Sequence, residues 1–545
     1  MPKRRGRFTD TPTGSRMGTI AAFATLLIVP LVPGALAAGS AGAVIGLPAE
    51  SLAVVLLLLV IPSVIVRRVI AGVFGAVVVV AILVAALDLG FEATVSRPFS
   101  PVDDWSGVLS AAGVIGDATG TGGLILIVTA IVVASAALGF ALTRAALRAA
   151  RVLGRSGRDG RTAVTAIVAT WSVCAVLGAQ VVPGVPFAAA DTTRALTAVT
   201  AQTAQSIREN AQFRAALRTD PARGIPPDEL LSALAGKDVV IAFIESYGRT
   251  AVEGTDFSRG VDRVLSEGGA RLAADGYEAR SAFLTSPTFG GVSWLAHATL
   301  QSGVWADSQQ KYDTLTSGDR LTLSRAFGQA GWRTVAVVPS NDEDWPVGRS
   351  FYGYDAVSDS RSMGYRGPSF SYARMPDQYT WKRFSDQELA QPHAPIMAEI
   401  DFVSSHTPWT PLPHLVPWSE VGDGSVFDPQ PAEGLSPVQA WADPRTVQDL
   451  YGQSIEYSLA AMLSFLHAYP QPDLVLVVVG DHEPSRIVSG ADAGHDVPIT
   501  IIAQDPEVFT RIASWEWEGG LLPSPDAPVW RMDSFRDRFL DAFSP

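Results

Sequence analysis

The sequence predicts a membrane domain of five helices joined to an α/β domain with a mainly parallel central sheet. Three observations predict it. The 545 residues are 48% hydrophobic and only 17% charged, a balance that suits a chain partly solvated by lipid. Residues 17–190 contain no lysine and few acids, whereas the remainder resembles an ordinary acidic globular chain. From Val239 onward, short apolar runs alternate with helical patterns, as they do where helices cover a parallel sheet.

The membrane part comes first. A hydrocarbon core of ~30 Å needs about 20 apolar residues per helix, and five runs qualify: 17–38, 47–66, 69–88, 122–143 and 163–187. Residues 1–16, with Lys3, Arg4, Arg5 and Arg7, form a basic cytoplasmic N-terminus. A cleaved signal peptide would explain the first apolar run but not the four after it. The Arg67-Arg68 turn and the loop carrying Arg144, Arg148, Arg151, Arg155, Arg158 and Arg161 fall on the same side as the N-terminus, as cytoplasmic loops should. Five crossings then place the connection 91–120, with Trp105, and everything after residue 187 outside the cell. The expectation is a multi-pass cell-membrane protein with an extracellular C-terminal domain.

Residues 188–237 read as a helical connector. Its stretch 192–217 suits either an amphipathic helix on the membrane face or a helix packed on the soluble domain. Residues 238–545 form that domain. Candidate strands are 239–244, 334–338, 397–403, 474–479 and 498–503, and candidate helices lie near 259–274, 293–302, 320–330 and 446–468. The Pro- and Trp-rich stretch 404–445 reads as a long surface loop over the active-site end.

In open α/β sheets ligands bind beyond the carboxyl ends of the strands. The run Leu474–Val479 delivers Gly480, Asp481 and His482 there, and the run Val239–Ile244 delivers Glu245. The glycine-rich turn Ser286–Ser293 opens a helix that can present the Ser293 hydroxyl. Two carboxylates, an imidazole and a hydroxyl make a divalent-metal site beside a nucleophile. Each residue has a plainer reading: Glu245 a solvated strand end, Ser293 a helix cap, a lone histidine a satisfied structural group. All seven histidines lie in the second half, at 297, 393, 406, 414, 467, 482 and 495. Three of them, His406, His482 and His495, stand beside predicted strand ends, and that clustering favours a site.

Composition excludes other classes. The net charge of −13 argues against nucleic-acid binding. The single cysteine, Cys174, permits neither an internal disulfide nor a multi-cysteine zinc site. The predicted spans carry almost no charge, which disfavours a transporter.

Glu245-Ser-Tyr-Gly after a strand, Gly290-Gly-Val-Ser293 shortly before Ser302-Gly303, and Gly480-Asp-His482 together resemble the sulfatase and alkaline-phosphatase superfamily. With the preceding spans, the sequence is similar to membrane phosphotransferases such as lipoteichoic acid synthase and the lipid A phosphoethanolamine transferases. The resemblance implies an alkaline-phosphatase-like (sulfatase) fold for 238–545 and metal ligands at Glu245, Ser293, Asp481 and His482. It implies Ser293 as nucleophile, where the membrane transferases usually have threonine, and His406 and His495 as substrate-binding residues. Phe351-Tyr-Gly-Tyr-Asp355 and Pro376-Asp377 resemble stretches of structural role. Formylglycine sulfatases resemble one another in a proline two residues and an arginine four residues after the modified residue. Here those positions are Leu295 and His297, so Ser293 is expected to stay an unmodified hydroxyl.

The resemblance thus implies a metal-dependent phosphotransferase that passes a phosphoglycerol- or phosphoethanolamine-like headgroup through a phospho-serine. The implied cofactor is one divalent metal, zinc or manganese, both of which suit this donor set. The implied partners are a phospholipid donor, a cell-envelope glycan or lipid acceptor, and the bilayer. A membrane-anchored hydrolase (phosphatase, phosphodiesterase or sulfatase) is the nearest alternative, and a non-catalytic membrane scaffold the next.

Overall fold

The structure, a computed structural model, describes residues 12–40, 44–390 and 393–545, so the basic cluster Lys3 to Arg7 lies outside the described residues. The chain divides into two compact units, Met1–Glu92 with Arg97–Arg208, and Ala93–Ser96 with Glu209–Pro545.

In the first unit, four described helices are long and apolar enough to cross a bilayer: Arg16–Ala37, Val64–Val95, Gly120–Arg155 and Gly157–Leu177. Four of the five expected spans have such a helix, and at 47–66 the described helix is shorter. The helix there is Ala49–Val60, 12 residues, which reaches ~18 Å at ~1.5 Å per residue and falls short of ~30 Å. Pro62 lies in a non-helical break at 61–63, because its ring has no N–H to continue the helix. Arg67 and Arg68 therefore belong to the next helix, Val64–Val95, rather than to a turn. The Arg67 guanidinium donates to the Ile61 carbonyl left free by the break. The run 163–187 also ends early. Its helix stops at Leu177, with Gly178 left-handed at φ 61°, and Gln180–Val182 pairs with Val185–Pro186 as a short hairpin. Small residues bring the long helices together: a Cβ on Gly75 would stand 2.6 Å from the Gly139 carbonyl oxygen, the close backbone approach that packs helices in lipid.

In the second unit, nine described strands form one sheet. In chain order they are β1 (Asp238–Ile244), β2 (Glu278–Thr285), β3 (Arg333–Val338), β4 (Ala356–Asp359), β5 (Ile396–Phe402), β6 (Leu474–Gly480), β7 (Asp496–Ala503), β8 (Glu518–Gly519) and β9 (Val529–Arg531). Their order across the sheet is β8-β2-β7-β6-β1-β5-β3-β4, with β9 on β2. From β6 to β4 every pairing is parallel, while β7 runs antiparallel between β6 and β2. The sheet is buried on both faces. Val239, Ile241 and Phe243 of β1 enter one core and Val240, Ala242 and Ile244 the other, as the period of two demands. Every residue of β6 is buried.

The five strands expected from apolar runs are β1, β3, β5, β6 and β7. The four without such runs are short or, in β2, polar and half-buried over Glu278–Arg280. The connector contains the helix Asp191–Arg218. Its Phe213 is buried in the core of the second unit with Leu217 packed against it, so this end of the helix is a packing element.

Gly480 closes β6 because nothing larger fits. A Cβ there would stand 1.9 Å from the Tyr247 carbonyl oxygen, an obstacle of backbone that cannot rotate away. Gly480→Ala is expected to lower the thermal transition of the full chain by an amount equivalent to about 1–3 kcal/mol of overpacking. An unchanged transition would show that the two loops move apart freely.

Candidate active site

The sheet brings the site together at one edge. Parallel β1, β5 and β6 end there, placing Glu245, the Asp401 end of β5, and Asp481-His482 side by side. Because β7 is antiparallel, its start at Asp496 lies at the same edge and carries His495 with it. The helix α1 (Ser293–Ser302) begins at this edge, after a turn tied down by three hydrogen bonds. Ser286 N donates to His495 O (2.8 Å) and Gly290 N to Glu483 O (2.9 Å), and Ser286 Oγ donates to Asp481 O (2.6 Å).

Two non-glycine residues here hold left-handed backbone, Ser246 at φ 57° and Val292 at φ 63°. For a β-branched residue such as Val292 this costs on the order of 1–3 kcal/mol and persists only where the surroundings over-determine it. Val292 precedes Ser293 and Ser246 follows Glu245, so the strain sits on the two residues that aim these side chains. Tyr451 of the helix α2 (Pro444–Ala468) clamps the second turn by donating to Ser246 O (2.8 Å).

Glu245, Ser293, Asp481 and His482 are brought together. Ser293 Oγ donates to Glu245 Oε2 (3.0 Å) and lies 3.3 Å from His482 Nε2. His482 Nε2 is also 3.3 Å from Glu245 Oε1 and 3.3 Å from Asp481 Oδ2. The other ring nitrogen, Nδ1, donates to Glu483 O (2.8 Å), which leaves Nε2 as the atom facing the carboxylates. Asp481 Oδ1 accepts from Ser246 N (2.7 Å) and His482 N (2.8 Å).

The charges are uneven. Burial pushes the Glu245 carboxyl up, but the hydrogen bond from His482 and the nearby His406 and His482 charges outweigh it and hold it below the usual range. Burial and the Glu245 charge push Asp481 up to about 6. Burial opposes charge on His482, yet Asp481 and Glu245 raise it to about 9.

These residues fit a divalent metal. The ligand atoms of Glu245, Asp481 and His482 all lie within 4.8 Å of one another, and Asp481 Oδ2 is buried without a hydrogen-bond partner. A buried carboxylate oxygen in that state is costly unless a cation meets it.

A cavity of about 340 Å³ opens over Ser293. His406 lines it, with its ring stacked 3.6 Å from Tyr372, and Trp294, Trp409 and Trp441 add an aromatic wall. No lysine or arginine is among its lining residues. His495 is not in the lining; its ring packs 5.4 Å from Phe289, and burial lowers its pKa. Sequence reasoning missed the aromatic wall, because Trp294, Tyr372 and Trp441 come from three separate segments. It also passed over Glu399, although Glu399-Ile-Asp401 is a conspicuous acidic pair inside the apolar run of β5.

No protein-family model matches this chain, and no curated protein matches it. Solved structures do align with it. The lipoteichoic acid synthase LtaP from Listeria monocytogenes is 15% identical, over 50% of this chain and 67% of that one, with a TM-score of 0.33. A protein in the alkaline phosphatase superfamily from Vibrio parahaemolyticus is 14% identical, over 57% and 67%, with a TM-score of 0.38. The C-terminal periplasmic domain of EcEptC from Escherichia coli, in complex with Zn, is 13% identical, over 56% and 82%, with a TM-score of 0.37. At these overlaps this chain's activity is argued from its own residues.

Proposed function

We propose that this chain is a membrane-bound phosphotransferase that moves a phosphate-linked headgroup, phosphoglycerol- or phosphoethanolamine-like, from a phospholipid to a cell-envelope glycan or lipid through Ser293. The observation that carries this reading is the convergence of the Ser293 hydroxyl with Glu245, Asp481 and His482 beneath a cavity that no lysine or arginine lines. A phosphate entering such a cavity meets carboxylates, so its charge has to be balanced by imidazoles and a cation. Glu245, Ser293, Asp481 and His482 would hold one zinc or manganese ion. Bound there, the ion lowers the pKa of the Ser293 hydroxyl and screens the substrate phosphate.

The protein's own groups then act in sequence. Ser293 Oγ, held by its hydrogen bond to Glu245, gives up its proton to solvent and attacks phosphorus in line. The new O–P bond forms as the bond from phosphorus to the lipid alcohol breaks, and the departing oxygen takes its proton from His406 on the cavity wall. His406 holds non-bridging oxygens from the cavity wall. His495, which lies against Phe289 outside the cavity lining, takes no part in this route. An acceptor alcohol next attacks the phospho-serine, returning a proton to His406 as the bond from phosphorus to Ser293 Oγ breaks; with water instead of alcohol the same steps give hydrolysis. The site faces the cell exterior in this reading, where a phospholipid headgroup is at hand and ATP is not.

The test is intact mass. The full chain in detergent, loaded with zinc or manganese and mixed with bacterial phospholipids, is expected to gain one adduct whose mass names the headgroup phosphate. Chelation before mixing should abolish it. Lipid cleaved with no adduct under any quench condition would overturn the phospho-serine route, and product made only with water would favour the hydrolase.

A further inference from the structure

A second group of potential ligands stands at the same cavity. Glu399 and Asp401 occupy alternate positions of β5 and so project from one face of a strand that is otherwise apolar. Opposite them is His297, one turn along α1 from Ser293, with its ring stacked 3.8 Å over Phe243. His297 Nδ1 lies 3.2 Å from a Glu399 oxygen and 3.4 Å from an Asp401 oxygen. The three ligand atoms fall within 4.8 Å of one another. Those spacings match neighbouring donors around one ion with bonds of about 2.0–2.2 Å.

Three further observations separate this group from an ordinary buried ion pair. Asp401 Oδ1, the oxygen 3.4 Å from His297 Nδ1, is buried and makes no hydrogen bond, because Nδ1 is shared with the nearer Glu399 oxygen (3.2 Å). The far oxygen of Glu399 is already fixed, accepting from Tyr354 Oη (2.9 Å) and from the Gln301 amide. Outer donors of this kind orient a metal-binding carboxylate and leave its inner oxygen free to coordinate. Finally, His297 and Asp401 line the cavity while Glu399 lies behind them, so an ion has a route in. With both carboxylates ionised, two against one imidazolium would leave a net negative charge, and burial resists that charge by pushing the Asp401 carboxyl up to about 7.

We infer that His297, Glu399 and Asp401 form a second divalent-cation site, for zinc or manganese, on the wall of the cavity that holds Ser293. The inference rests on the proposed phosphotransferase reading for what the ion would do, which is to add positive charge to a cavity without lysine or arginine. The donor set of one imidazole and two carboxylates suits either ion.

Equilibrium dialysis of the detergent-solubilised full chain against zinc or manganese, followed by metal counting, tests it. Two ions per chain are expected in the wild type. Glu399→Gln combined with Asp401→Asn should bind one, and Asp481→Asn should also bind one. In the manganese form, the wild type should show a second set of Mn²⁺ resonances that the double variant lacks. Asp401→Asn alone alters a residue that is partly exposed on the cavity wall, and it should cut second-ion affinity at least about tenfold even if the double variant proves poorly folded. One ion in the wild type, lost in Asp481→Asn and kept in the double variant, would overturn this site and leave the proposed function standing. No ion in the wild type would overturn both.

Discussion

Ser293→Ala is expected to abolish headgroup transfer, with a loss on the order of 10⁴–10⁶-fold in kcat, the scale seen when a covalent nucleophile is removed. The hydroxyl is the only group at the start of α1 that contacts Glu245 and His482 together, and alanine leaves no oxygen to carry the phosphoryl group. The fold should survive, since Val292 rather than Ser293 holds the left-handed cap of α1 and no side-chain cap bond is lost. Ser293→Thr should retain measurable turnover because it keeps the hydroxyl. Single-turnover kinetics with a phospholipid donor, alongside a melting curve for each variant, checks the prediction. Residual activity above about one per cent in Ser293→Ala would mean that water attacks phosphorus directly.

Asp220→Ala should be the most destabilising single change in the second unit. Asp220 is 3% exposed and accepts from Arg536, which is fully buried, at 2.8 Å, while Arg320, 5% exposed, lies 3.3 Å away on its other side. It also accepts from the backbone N–H of Leu321 (3.2 Å). Removing the carboxylate leaves buried Arg320 on the carbonyls of Ser302 and Thr219 and Arg536 on the more exposed Asp537 (2.6 Å), without the anion the two share. Breaking a buried pair from one side costs about 3–5 kcal/mol, and the repulsion between Arg320 and Arg536 adds to it. For a unit of this size the thermal transition should fall by about 4–7 °C. Asp386→Ala, which removes a surface partner of Lys382, should cost less than about 1 kcal/mol. Equal shifts in the two variants would refute the argument.

The parallel core of the sheet was legible because a run such as Leu474–Gly480 can be satisfied only by burial on both faces. The glycine and acids that follow it then fall at the strand's carboxyl end by topology alone. The same logic marked Glu245, Ser293, Asp481 and His482, whose neighbours in sequence already state their position. The apolar helices were legible from hydropathy, four of them long enough to cross a bilayer, but their lengths were not. Hydropathy averages over a window, whereas Pro62 acts at one residue, so the run 47–66 contains a helix of only 12 residues.

Other features depend on partners far away in the chain. The helix Asp377–Phe384 is polar by composition, and it is buried because Asp377 accepts from the N–H groups of Val403 (3.1 Å) and Ser404 (3.0 Å) and from Ser458 Oγ (2.6 Å). Nothing within α1 shows that Glu399 and Asp401 face His297 from β5. Whether a histidine near a strand end reaches the cavity, as His406 does, or rests against Phe289, as His495 does, is set by ring orientation. The sequence by itself determined which residues end the strands and what chemistry they carry, because burial and periodicity are local. Which of those residues meet one another was decided only by the tertiary structure, because strand order and side-chain direction depend on contacts hundreds of residues apart.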